Sequence, residues 1–324
     1  MLMSIVLFAV GLVLLIKGGD WFVDGATGIA KRFNLPDIVV GATVVSIGTT
    51  LPEVMVSTTG ALQGSGAMAY GNAIGSIICN TALIAAISII VNPGPVNTKS
   101  MKTPALFFFA SAGLYCVASY ILGEFPRWMG FVMLGIFVVY TVLTVRNGLA
   151  NPDEAEEEEG EEDKDMPLWK QLVLLVVGAA VIAVGADLLV EHGQIIAIGL
   201  GVPETVVALL FVALGTSLPE LVTTITSLKS GHASLGVGNV IGANVFNLVL
   251  VSGVAVSLAP FEVPCQNYLL DTGLNMSLVF EIPVMLGVMA LMIFPTLASK
   301  KLARWQGITL MGIYVAFCVL QFIL

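Results

Sequence analysis

Charge is what this 324-residue chain has least of: 11% of its residues are Asp, Glu, Lys or Arg, while 57% are hydrophobic and the mean hydropathy is +0.97. An average soluble domain carries about 25% charged residues, so an ordinary soluble fold is excluded, and no basic face is left for nucleic acid. The short alternating segments of a membrane strand barrel are missing. No basic n-region precedes the first apolar tract, which runs on through Trp21 and Phe22 without a cleavage pattern, so it reads as a mature helix and not a signal peptide. Cys79, Cys116, Cys265 and Cys318 have no metal-ligand spacing, and three of them fall in apolar tracts. They read as free thiols.

What is present is a series of apolar tracts near 3–30, 37–63, 67–91, 104–122, 128–145, 171–198, 203–228, 234–258, 275–297 and 306–323. About 20 apolar residues cross the hydrocarbon core as a helix, so the expected fold is an all-α membrane protein of ten transmembrane helices. Lys and Arg collect on cytoplasmic flanks. Placing both termini outside the cell membrane puts Lys31, Arg32, Lys99, Lys102, Arg146, Lys164, Lys170, Lys229, Lys300, Lys301 and Arg304 inside, with Arg127 clearly left outside. Residues Asp153 to Asp165 hold ten Asp or Glu and one Lys, which accounts for the net charge of -9. That run reads as a solvated cytoplasmic tether, too short for a folded regulatory module. The expected organisation is a first five-helix unit at 1–150, the acidic linker at 151–167 and a second unit at 168–324.

The two units are copies. Gly48-Thr49-Thr50-Leu51-Pro52-Glu53 returns as Gly215-Thr216-Ser217-Leu218-Pro219-Glu220, displaced by 167 positions. At the same offset Asp20 meets Asp187, Asp24 meets Glu191, Pro36 meets Pro203, Asp37 meets Glu204, and Gly71-Asn72-Ala73-Ile74-Gly75 meets Gly238-Asn239-Val240-Ile241-Gly242, with Asn80 on Asn247. A fixed offset over so long a stretch marks one ancestral unit present twice. Five spans per unit is an odd number, so the second copy enters the membrane in the opposite sense. Inverted repeats of this kind are a transporter plan with the binding site midway between the halves.

Pro52 cannot donate to the Gly48 carbonyl and pushes Leu51 from helical geometry, so the span is expected to break at residues 48–51. Irregular backbone survives in a bilayer only when buried in protein or lining a wet cavity. Ser46, Thr49, Thr50 and Glu53 share one helical face beside that break, and Ala213, Thr216, Ser217 and Glu220 repeat the arrangement. No Lys or Arg lies within either span to pair with the glutamates, so a merely structural carboxylate is the weaker reading. Carboxylates, carbonyls and hydroxyls, without His or thiolate, form a hard-oxygen set suited to Ca²⁺ or Na⁺. On the next spans Asn72, Ser76 and Asn80 recur every four residues, as do Asn239, Ala243 and Asn247. Asn72 and Asn239 serve equally well as interhelical glue or as ion ligands, whereas Ser76, Asn80 and Asn247, lying deeper, suit an ion site. Asp20 and Asp187 read as helix-end or packing groups.

These residues resemble the α-repeats of the sodium/calcium exchangers, within the calcium/cation antiporter superfamily, in its compact prokaryotic form. The resemblance covers essentially the whole chain and implies a diamond of ion sites on the second, third, seventh and eighth helices. It implies Glu53 and Glu220 as shared Ca²⁺ ligands with the main-chain oxygens of Thr49 and Thr216. Ser46, Thr50, Ser76, Ala213 and Ser217 would help form outer and inner Na⁺ sites, and Asn80 and Asn247 the middle one. Ala243 and Asn247 depart from the family, which often has Ser at the first position and can have Asp at the second. The proton-coupled branch favours a different sequence around its glutamate, which leaves sodium as the better counter-ion.

The function so implied is antiport of Na⁺ against Ca²⁺ by a monomer in the lipid bilayer, with no enzymatic chemistry and no cofactor. Several Na⁺ or one Ca²⁺ can balance two carboxylates in overlapping sites, and overlap makes their binding competitive. The long first and sixth spans, which lack the Pro break, are candidates for a moving bundle. Ca²⁺/H⁺ or K⁺-dependent exchange remains open. A channel whose pore is lined by Glu53 and Glu220 fits less well, because pores usually gather rings from symmetric subunits.

Overall fold

The computed structural model describes residues 2–96, 98–150, 166–200, 215–264 and 274–323. The described residues are mostly helical, with four two-residue strands among them at helix ends. In chain order the helices are α1 (Leu2–Phe33), α2 (Asp37–Thr49), α3 (Leu51–Leu62), α4 (Gly66–Val91), α5 (Thr98–Leu122), α6 (Arg127–Ala150), α7 (Leu168–Gly199), α8 (Leu218–Lys229), α9 (Ala233–Leu258), α10 (Ser277–Ser299) and α11 (Arg304–Ile323). Among the described residues seven helices are long and apolar enough to cross a membrane, or eight if α2 and α3 form one span. The expected break is present: α2 and α3 meet at Thr50 and are bent by 45°. Residues 203–214, the first part of the expected seventh span, and the acidic run at 153–165 lie outside the described residues, as does Cys265. Cys79, Cys116 and Cys318 are free thiols.

The polarity of the fold is that of a protein dissolved in lipid. Leu2, Met3, Met55, Ile121, Trp169 and Val176 are all exposed. The interior, by contrast, encloses Ser46, Glu53, Asn80, Glu220, Asn239 and Asn247. Apolar burial gives helices little reason to associate inside a bilayer, so contact rests on close backbone approach and interhelical hydrogen bonds. The antiparallel pair α1 and α7 shows the first device. A Cβ at Gly11 would lie 2.9 Å from the Gly185 carbonyl oxygen, and one at Gly25 would lie 2.7 Å from that of Gln171. The crossing of α2 and α9 is as close, since a side chain on Gly41 would strike the Leu235 carbonyl and one on Gly238 that of Ile38.

Two short strand pairs tie the helix ends together. β1 (Gly94–Pro95) pairs antiparallel with β4 (Lys301–Leu302), and β2 (Glu124–Phe125) with β3 (Phe261–Glu262). Helix α5 runs from β1 to β2, which places the two pairs at opposite ends of the bundle. Their hydrogen bonds correspond: Val96 N–H donates to the Lys300 carbonyl at 3.1 Å, and Val263 N–H to that of Gly123 at 2.9 Å. Lys300 and Gly123 both turn through left-handed backbone, at φ 56° and 71°. Arg127 donates to the Leu258 carbonyl at 3.2 Å and Arg304 to that of Ile90 at 3.0 Å. The turn from α3 to α4 also matches the turn from α8 to α9, with Gly64 at φ 83° and Gly231 at φ 85°.

Candidate ion-binding site

Both half-helices start in the same way. Pro52 and Pro219 stand in the first turns of α3 and α8, where a missing N–H leaves no helical bond unmade. Thr50 and Ser217 occupy the preceding cap positions, and Glu53 and Glu220 fall in the first turn. Aligned peptide dipoles favour negative charge at that end of a helix. Both glutamates are 0% exposed, and they lie close enough to repel one another. The Glu220 side chain also lies beside Thr49 and Thr50 of the other half.

Unmade hydrogen bonds define this region. Both carboxylate oxygens of Glu53 and of Glu220, the hydroxyls of Thr50 and Ser217, and both amide atoms of Asn80 and Asn247 are buried without a hydrogen-bond partner. Leaving even a neutral polar group unpaired costs about 1–3 kcal/mol in proteins, and an unpaired charge costs far more. A cluster of such oxygens is therefore matched to cations. Among the described residues no group of three or more His, Cys, Asp or Glu is gathered as a transition-metal cage would need. Ser76 is buried on α4, one turn before Asn80. Ala213 lies outside the described residues.

The remaining site residues are joined by hydrogen bonds that cross between the halves. Thr49 Oγ1 donates to Asn239 Oδ1 at 3.1 Å, and Thr216 Oγ1 to Asn72 Oδ1 at 3.4 Å. Asn72 Nδ2 in turn reaches the Glu53 carbonyl at 3.3 Å and Ser57 Oγ at 2.8 Å. Ser46 Oγ lies 2.7 Å from the Gly41 carbonyl oxygen and 2.9 Å from that of Asn239. Asn72 and Asn239 thus hold threonines in place. Each threonine hydroxyl spends its proton on an asparagine oxygen.

Among the described residues three π-helical turns border the site: Gly41–Val45 just before Ser46, Asn80–Ala85 opening at Asn80, and Asn247–Val251 opening at Asn247. Such wide turns are frequent at functional sites. Tyr140 of α6 steadies the first by donating to the Ala42 carbonyl at 2.9 Å. Asn244 Nδ2 donates to Thr81 Oγ1 at 2.7 Å, joining α9 to the second. Neither contact was legible in the sequence, because Thr81 meets Leu248 and Asn244 meets Ile77 at the repeat offset. The π turns were hidden too, since one extra residue per turn leaves a uniformly apolar pattern unchanged.

An all-helical membrane protein whose enclosed carboxylates sit in the first turns of two repeated helices has the build of an ion transporter. Comparison with known proteins narrows the class. The family described as "Sodium/calcium exchanger protein" matches residues 3–146 and again 170–323, and the chain belongs to that family. It is 33% identical to membrane protein MJ0091 of Methanocaldococcus jannaschii, over 95% of this chain and 94% of that one. It is 29% identical to the sodium/calcium exchanger MaX1 of Methanosarcina acetivorans, over 98% of each. Among solved structures, the sodium-calcium exchanger NCX_Mj soaked with 10 mM Na⁺ and zero Ca²⁺ matches with a TM-score of 0.79 and 31% identity, over 97% of each chain.

Proposed function

We propose that the protein is a secondary antiporter that exchanges Na⁺ for Ca²⁺ across the cell membrane by alternating access, as a monomer. The observation that carries this reading is the pair of enclosed glutamates with four unpartnered carboxylate oxygens between two repeated half-helices. Glu53 and Glu220 hold Ca²⁺ together with the main-chain oxygens of Thr49 and Thr216. Na⁺ takes overlapping positions built from Ser46, Thr50, Ser76, Ser217, Asn80, Asn247 and the Ala213 segment. Competition for shared oxygens prevents the two loads from travelling together, and each ion shifts the inward–outward balance only by its differential affinity for the two forms.

The scaffold is read as ten spans in two inverted five-helix repeats, at 1–150 and 168–324, joined by the acidic linker. Support comes from the two family matches and from the exchange of equivalent contacts at opposite ends, Val96 with Lys300 and Val263 with Gly123. The basic residues put the linker and the β1–β4 end in the cytoplasm and both termini outside. The close pair α1 and α7 is the candidate moving bundle. Ca²⁺/H⁺ exchange differs in the driving ion, and K⁺-dependent Na⁺/Ca²⁺ exchange adds a K⁺ requirement. Uptake of ⁴⁵Ca²⁺ into proteoliposomes preloaded with Na⁺, with K⁺ or with a proton gradient separates the three, and saturable uptake that requires a trans ion excludes a channel.

A further inference from the structure

The two remaining π-helical turns among the described residues lie at the β2–β3 end. Val117–Leu122 closes α5 and Ser277–Glu281 opens α10, and the Tyr120 hydroxyl donates to the Leu278 carbonyl between them. Turns of this kind are frequent at functional sites. The second one carries Glu281, a half-buried carboxylate on an apolar span that the antiport reading leaves unused. A charge there is costly unless it is matched. Yet the chain has no Lys or Arg between Lys229 and Lys300, and Arg127, which opens α6 at this end, donates to the Leu258 carbonyl.

Oxygen atoms gather around this carboxylate. Ser277 Oγ donates to Glu281 Oε2 at 2.8 Å and Gln321 Nε2 to Oε1 at 3.0 Å, which uses about half of the lone-pair sites of an ionised carboxylate. Tyr70 of α4 lies beside the Ser119 and Ser277 hydroxyls and near Glu281, and Tyr115 of α5 lies near Tyr70 and Glu281. The hydroxyls of Tyr70, Tyr115 and Ser119 are buried without a hydrogen-bond partner. Their two rings are held in place, since Phe125 of β2 packs on both at centroid distances of 5.9 and 4.6 Å. Tyr70 stands ten residues before Asn80 on α4, about 15 Å at the rise of a helix, so the group is separate from the central site.

We infer that Glu281, with the hydroxyls of Tyr70, Tyr115, Ser119 and Ser277, forms a second cation site that takes one monovalent ion, Na⁺ or K⁺, at the β2–β3 end. The donors are hard oxygens, which suit such ions. One carboxylate neutralises one Na⁺ or K⁺, whereas Ca²⁺ would leave net positive charge inside an apolar span. Glu281 lies in the first turn of α10, within reach of water at this face, and the exposed Glu124 and Glu262, opposite each other in the β2–β3 pair, make the face acidic. A bound ion ties α4, α5 and α10 together, with α11 joined through Gln321. These helices lie outside the α1–α7 pair, so on the antiport reading the ion steadies the frame and is no part of the exchanged load.

The test is hydrogen exchange of the purified full-length protein, read at residues 117–122 and 277–281 while NaCl or KCl replaces choline chloride at constant ionic strength. The proteins compared are the wild type, Glu281→Gln, Tyr70→Phe and Glu53→Gln. Saturable, several-fold slowing is expected in the wild type and equally in Glu53→Gln, with none in Glu281→Gln. Tyr70→Phe keeps the ring that Phe125 packs on and loses one hydroxyl, so its midpoint should move several-fold higher. The salt that acts at the lower concentration identifies the ion. Slowing that persists in Glu281→Gln or disappears in Glu53→Gln overturns the site, and so does exchange indifferent to both salts. An unchanged midpoint in Tyr70→Phe does the same should Glu281→Gln fail to fold. Equal slowing by CaCl₂ at matched concentration overturns the monovalent assignment.

Discussion

The two halves of the site carry the same motif and are not equal. On one side the fully buried Thr49 meets the fully buried Asn239 at 3.1 Å, with Ser46 beside them. On the other, Thr216 meets a half-buried Asn72 at 3.4 Å, and the position of Ser46 is held by Ala213. Deeper in the site Asn80 and Asn247 correspond, but Ser76 faces Ala243. The carboxylates and the helix starts that carry them are kept in duplicate, while the hydroxyls around them differ. On the proposed reading, duplication supplies the two charges that Ca²⁺ needs, and divergence grades the neutral oxygens that Na⁺ depends on.

The largest expected effect breaks the shared part. Glu53→Gln or Glu220→Gln removes half the formal charge of the site at nearly constant volume, and Ca²⁺ exchange should fall roughly 100-fold or more, about 2.7 kcal/mol. Each variant should remain folded and monodisperse. Wild-type flux in either would remove the central assignment, and unequal losses would extend the asymmetry to the carboxylates.

The divergent part is tested more gently. Asn239→Ala frees Thr49 while Ser46 keeps the Gly41 and Asn239 main-chain carbonyls, whereas Asn72→Ala frees Thr216 and Ser57 at a wetter position. Interhelical hydrogen bonds in membranes are worth about 0.6–2 kcal/mol, so Asn239→Ala should raise the half-saturating Na⁺ concentration roughly three- to thirtyfold, and Asn72→Ala less. Equal shifts would mean that the two halves hold Na⁺ alike. Ala243→Ser, which restores the partner of Ser76, should lower the half-saturating Na⁺ concentration by a factor of roughly two to five, as one added ion–dipole contact does, and should move that for Ca²⁺ less. Titration of flux against each ion reads both.

Much of this was legible before any coordinates. Ten apolar tracts, the Pro break before Glu53 and the 167-residue offset follow from rules that hydrocarbon enforces strictly. A helix without internal bonds or a charge without a purpose is too costly to keep there. What stayed hidden depends on rotation about helix axes. Asn72 and Asn239 could be read as glue or as ligands, and the structure spends them on Thr216 and Thr49. Tyr140 on the Ala42 carbonyl and Asn244 on Thr81 arise from packing between distant segments. The smallest expected effect concerns the segment least tied to either half: deleting Glu156 to Glu162 should leave maximal exchange within about twofold, as a solvated tether requires. Protease cleavage of that run from the cytoplasmic side alone would support the topology, and cleavage from outside alone would reverse it.

The most direct measurement is Ca²⁺ flux in proteoliposomes as a function of trans Na⁺, at clamped membrane potential and over a pH series. Two glutamates are the only formal charges assigned to the site, so one Ca²⁺ neutralises them and more than two Na⁺ in exchange must move net charge. The expected result is Ca²⁺ flux that requires trans Na⁺, responds to membrane potential and slows in acid as protons compete for the same carboxylate oxygens. Ca²⁺ flux indifferent to trans Na⁺ and driven by a pH gradient would contradict the account and establish Ca²⁺/H⁺ exchange in its place.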